Sequence, residues 1–169
     1  RTSLPTMASA SAGYDAQLAR WSARTAGTTA VAGCAAAAGG EEGIHSFLEA
    51  YAAAWQSGDI AAIGALYHDD FTLHYAGANA LSGVHAGKVA ALTVVADFSR
   101  RTNRQLIEIV EVMAGPRRGA IVARERLGHD GTAVEVERLL VYTVADDLLR
   151  ECWVYDADQA LIDRLIGPT

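Results

Sequence analysis

Two alternating runs each carry one charge where the pattern calls for an apolar residue. In AIVARERL (120–127), Ile121, Ala123, Glu125 and Leu127 share one face of a strand. In AVEVERLLVYTV (133–144), Val134, Val136, Arg138, Leu140, Tyr142 and Val144 share one face, with Glu135 and Glu137 opposite. If both apolar faces look into one cavity, a carboxylate, a guanidinium and a phenol look in with them. A carboxylate among apolar groups has its ionised form disfavoured, so the Glu125 pKa is expected to rise toward neutrality and suit acid–base work. Arg138 beside it would reverse that and make the pair structural. A cross-strand salt bridge on a solvated face is the plainer alternative. A slip of one residue would replace Glu125 by Arg124 or Arg126.

The stretch FLEAYAAAWQSGDIAAIGALYHDDFTLHY (47–75) supplies further polar groups. Tyr51 and Trp55 lie one helical turn apart, and Phe71, Leu73 and Tyr75 share a strand face. With Arg138, Leu140 and Tyr142 they predict a mostly apolar pocket for a small apolar organic ligand. Tyr51 or Tyr142 would donate a hydrogen bond to a developing oxyanion, and Glu125 or His74 would move the proton. His74 faces the other way in a regular strand and turns inward only at a bulge. His85 falls near the cavity rim and completes the ligand-contacting set. His68 closes the second helix, where its cation suits the helix dipole, while His45 and His129 are surface residues. No two histidines have metal-site spacing, so neither a metal nor another cofactor is expected. There is no GxSxG, phosphate loop or dinucleotide fingerprint to support nucleophilic hydrolysis or nucleotide chemistry.

The elements that must position these groups follow from periodicity. IHSFLEAYAAAWQS (44–57) places Ile44, Phe47, Leu48, Tyr51 and Trp55 on one helical face. Ser57-Gly58 stops it and Asp59 caps a second helix over 60–68. FTLHY (71–75) is a strand, with a short strand around 81–85. KVAALTVVADFSRR (88–101) is a third helix with Val89, Leu92, Val95, Ala96 and Phe98 inside. Strands follow at 105–113, 119–127, 133–144 and 148–156, with tight turns at 129–131 and at Asp146-Asp147. A short amphipathic turn or helix closes the chain. Three helices before an antiparallel meander predict an α+β fold with helices on one face of a curved sheet.

A length of 169 residues suits one domain. The net charge of −6 argues against nucleic acid or anionic membrane as partners, since both need a basic face. No apolar run reaches the roughly 20 residues of a membrane span. Cys34 and Cys152 are far apart without redox or metal spacing, which makes a reducing cytoplasm the default. Residues 1–42 read as a flexible Ala/Gly-rich extension, of which 1–6 look like a cloning remnant. Val31–Cys34 has the form of a lipoprotein cleavage box but lacks a hydrophobic segment before it. The folded domain is expected over 43–160 and a tail over 161–169.

GD (58–59), DDF (69–71), NALSGVHAG (79–87) and ECWVYDADQ (151–159), in this order of elements, resemble the nuclear-transport-factor-two-like superfamily over residues 43–160. Ketosteroid isomerase and SnoaL-type polyketide cyclases are members. The resemblance implies a cone, with a curved sheet around the first helices enclosing a deep apolar cavity, and a homodimer through the outer sheet face. Ketosteroid isomerase has an oxyanion-donating tyrosine seven residues before the GD glycine, and that place is Tyr51. The places of its general base and its second donor fall on Tyr75 and Leu140, so steroid-type isomerisation by that apparatus is not implied. The triad of the epoxide-hydrolase branch is also missing, with Arg126-Leu127-Gly128 and Tyr155 at its positions. The implied activity is a cofactor-independent isomerase, cyclase or lyase acting on an apolar carbonyl-bearing metabolite. The alternative is a domain that only binds a small ligand or dimerises.

Overall fold

A computed structural model describes residues 40–128 and 131–168. The extension up to residue 39, with Cys34, and His129 of the turn at 129–131 lie outside the described residues. The first helix, α1 (Glu41–Ser57), ends at Gly58, whose left-handed φ of 70° suits a residue without Cβ. Asp59 caps α2 (Ile60–Ala65) by accepting from the Ala61 and Ala62 amides. β1 (Tyr67–Tyr75), β2 (Gly83–Ala86), α3 (Lys88–Thr102), β3 (Gln105–Ala114), β4 (Gly119–Leu127), β5 (Val134–Ala145), β6 (Leu148–Asp156) and α4 (Gln159–Ile166) follow.

The strands form one six-stranded sheet in the order β2-β1-β6-β5-β4-β3. The meander β3 to β6 is antiparallel throughout, and Asp146 and Asp147 turn it at φ 55° and 56°. β1 pairs antiparallel with β2 but parallel with β6, so the sheet is mixed. Register shifts mark bulges in β1, β3 and β6, which bend strands and increase their twist. α1 packs on β3 and β4, and α3 packs on β1.

Two elements depart from the periodicity. The second helix stops at Ala65, and Tyr67 and His68 already belong to β1. Tyr67 is opposite Leu149, and the Leu149 amide donates to the Leu66 carbonyl, so pairing with β6 overrides the helical pattern. His68 therefore closes no helix, and its Nδ1 accepts from the Asp70 amide. In α3 the buried stripe is Ala91, Val94, Phe98 and Thr102, with Leu92 beside it. Val89, on the opposite side of the helix, is 57% exposed instead of inside. The closing helix α4 crosses residue 160 and buries Ile162 and Ile166.

Gly119 marks the tightest approach of helix to sheet. A Cβ there would lie 2.3 Å from Leu48 Cδ1, 2.8 Å from Ile44 Cγ2 and 2.9 Å from the Met113 carbonyl. Gly119→Ala is expected to cost about 1–3 kcal/mol by overpacking, measured as a lowered midpoint in urea. An unchanged midpoint would mean that α1 shifts off the sheet freely.

Candidate active site

The alternation read from the sequence holds at the centre of the sheet. Phe71, Leu73 and Tyr75 from β1, Glu125 from β4, Arg138, Leu140 and Tyr142 from β5, and Cys152 and Val154 from β6 face one cavity. Tyr51 and Trp55 from α1, Ile60 and Ile63 from α2, and Leu92, Val95 and Phe98 from α3 close it. The interior holds about 80 Å³, space on the order of six waters, which suits a small single-ring molecule.

Polar groups gather in two clusters. In the first, Tyr51 and Tyr67 share a short hydroxyl–hydroxyl hydrogen bond, and Tyr142 also bonds Tyr51. Their rings meet edge to face, with centroids 5.8 Å apart for Tyr51–Tyr67 and 5.5 Å for Tyr51–Tyr142. Burial disfavours phenolates here: the Tyr51 pKa is pushed up to about 12, although its bonds to Tyr67 and Tyr142 pull the other way. Tyr142 is also raised by burial. Burial pushes the Cys152 thiol up to about 12, so it is no nucleophile. These hydroxyls remain neutral donors throughout the physiological range.

The second cluster is ionic. Glu125 is fully buried, with Arg104 Nη2 at 2.5 Å from one oxygen and Arg138 Nη1 at 3.4 Å from the other. Arg138 also donates from Nε to Asp156 at 2.5 Å and from Nη2 to Tyr75 Oη at 2.8 Å, and its guanidinium lies 4.2 Å from the Phe98 ring centre. Arg104 rests on Trp55, 4.7 Å from the ring centre. Burial alone would raise the Glu125 pKa, but the two guanidinium groups outweigh it and hold the carboxyl below its ordinary range. The expected rise toward neutrality is therefore reversed, and Arg104 adds to the Arg138 effect. Arg138 is stabilised as a cation beyond its ordinary value, because Glu125, Tyr75 and Asp156 offset its desolvation.

Of the sequence-predicted residues, Tyr51, Trp55, Leu73, Tyr75, Glu125, Arg138, Leu140 and Tyr142 line the cavity. His74 and His85 do not. His74 keeps the regular strand alternation and stacks on Trp153 of the outer face, with centroids 4.6 Å apart and rings 5° from parallel. His85 Nε2 donates to the Leu81 carbonyl at 2.9 Å. Arg104, Tyr67 and Asp156 were not anticipated. Tyr155, expected at the inward last-strand position, is 50% exposed, and Asp156 turns inward instead. Among the described residues, no group of three or more His, Cys, Asp or Glu side chains is placed to hold a metal ion. No helix among them is long and apolar enough to cross a membrane.

Comparison with known proteins gives consistent results. The SnoaL-like domain family profile matches residues 48–152. No curated protein sequence matches the chain. A protein of unknown function with a cystatin-like fold from Xanthomonas campestris is 22% identical, with TM-score 0.66, over 72% of this chain and 96% of its own. A nuclear-transport-factor-two-like protein from Burkholderia xenovorans is 19% identical, with TM-score 0.62, over 76% and 99%. TerC, co-crystallised with polyporic acid, is 17% identical, with TM-score 0.60, over 72% and 95%. At these identities the likeness is one of fold.

Proposed function

Because the chain belongs to the SnoaL-like domain family, we propose that it is an isomerase, cyclase or lyase acting by acid–base chemistry on a small apolar carbonyl-bearing metabolite. The observation that carries this reading is the pairing of the neutral Tyr51 and Tyr142 phenols with one ionised carboxylate across an apolar cavity. Tyr51, held between Tyr67 and Tyr142, is preorganised to donate to an oxygen as negative charge develops on it. Glu125 accepts the proton from the carbon next to the carbonyl. Its depressed pKa makes it a weak base, so the substrate must be an activated carbon acid such as a conjugated or aryl ketone. His74 has no part in this proton transfer, because it lies outside the cavity. TerC, a protein of similar fold, has been co-crystallised with polyporic acid. The same proposal includes a homodimer through the outer sheet face, supported by exposed Ile107, Val110, Met113 and Tyr155.

One observation favours a domain that only binds. Both Glu125 oxygens are engaged by arginines, which suits a structural pair as well as a base. Proton exchange separates the two. In heavy water, small cyclic enones and aryl ketones are expected to exchange hydrogens next to the carbonyl faster with the protein than in buffer, followed by NMR. Glu125→Gln should lower that rate by about 10²–10⁴-fold while ketone binding and the circular dichroism spectrum persist. Tight binding without any accelerated exchange would leave the binding domain and remove the enzyme.

A further inference from the structure

We infer that Tyr75 is the specificity-determining donor of the cavity, its phenol hydrogen-bonding a ligand carbonyl oxygen seated beside Arg138. The inference rests on the carbonyl-ligand reading above and adds a second, independent contact to it.

Donor accounting carries the argument. Arg138 Nη2 lies 2.8 Å from Tyr75 Oη. A guanidinium has only N–H donors and no acceptor, so the phenol oxygen must be the acceptor in this bond. The Tyr75 proton is therefore not used there, and among the described residues its hydroxyl makes no other hydrogen bond. The residue is only 6% exposed and lines the cavity, so bulk water is remote from that proton. A buried donor without an acceptor is destabilising, and a carbonyl oxygen in the cavity would relieve it.

The donor is also fixed and polarised. Tyr75 ends β1 and is paired on both sides, opposite Gly83 of β2 and Val154 of β6. Arg138 cannot swing away, because Asp156 holds it through Nε at 2.5 Å and Nη2 at 3.3 Å. A cation bonded to the phenol oxygen draws electron density from the O–H and strengthens it as a donor. A site built around such a donor rejects a ligand of the same shape that lacks the oxygen.

The test compares cyclohex-2-enone with cyclohexene, by calorimetry, on the wild type, Tyr75→Phe and Tyr51→Phe. The wild type should prefer the enone. Tyr75→Phe should lose about tenfold or more of that preference while binding cyclohexene within about twofold of wild type, which also shows that the variant is folded. The infrared carbonyl stretch of bound enone should move to higher frequency in Tyr75→Phe. If Tyr75→Phe keeps both the preference and the stretch while Tyr51→Phe loses them, Tyr75 is not the donor and the carbonyl reading stands. If the wild type shows no preference for the enone, both fail together.

Discussion

Arg138→Met should destabilise the domain by about 3–5 kcal/mol in urea unfolding, far beyond the effect of losing one side chain's packing. Arg138 is 4% exposed, and the Glu125 and Asp156 carboxylates that it bridges are wholly buried. Removing the guanidinium leaves Asp156 without its charge partner and Tyr75 without its donor, while Glu125 keeps only Arg104. Most of that loss is the desolvation of orphaned charge, so Asp156→Asn added to Arg138→Met should recover part of it. Arg138→Lys should rescue poorly, because a point charge cannot reach three acceptors in the geometry of a planar fork. The acid limb changes as well. Glu125 has a folded pKa below its unfolded value near 4.3, so its contribution is complete above that value and is lost as pH falls through the lower folded one. With Arg138 gone the depression shrinks, and so does the acid-driven loss. A cost under about 1 kcal/mol would mean that water reaches the network.

Raising the pH should unfold the domain cooperatively between about pH 10 and 12. Tyr51 and Tyr75 have pKa values pushed from 10.0 up to about 12, first by burial. The folded values exceed the unfolded ones, so stability is intact below pH 10 and declines as pH rises toward the folded pKa. Each such phenol accounts for on the order of 3 kcal/mol, comparable to the whole stability of a marginal domain when the two combine. Tyr142 and Cys152 act in the same direction. Tyrosinate absorbance from these buried phenols should therefore appear abruptly, coincident with loss of the circular dichroism signal. Smooth titration of all the tyrosines near pH 10 with the fold intact would show that the cavity is open to water.

Alternation explains what the sequence disclosed about this site. The stripe through Ile121, Ala123, Glu125 and Leu127 and the stripe through Val136, Arg138, Leu140 and Tyr142 both turn inward, so Glu125 and Arg138 were legible as cavity residues. Their chemistry was not, because it depends on Arg104. That residue follows Asn103, the left-handed cap of α3, in a connection with no periodicity to aim it. Asp156 was hidden by a bulge. The turn at Asp146-Asp147 sets Val144 opposite Leu149, a register that continued would face Arg138 with Tyr155. The shift between Thr143 and Val144 brings Asp156 there instead. Tyr67 was concealed by a helical pattern that ran on past the end of its helix. His74 obeyed the simplest rule, alternation, and so points away from the cavity.

The parallel seam between β1 and β6 has a consequence for how the chain assembles. Two strands of the sheet, β2 and β1, come from the opening part of the described chain and four from the meander, and only the last strand joins them. Tyr75 and Val154 meet across a separation that makes closure entropically slow. On an emerging nascent polypeptide, the hollow and both of its polar clusters are thus absent until translation has delivered β6. The keystone strand then converts two unfinished pieces into a vessel in a single late event.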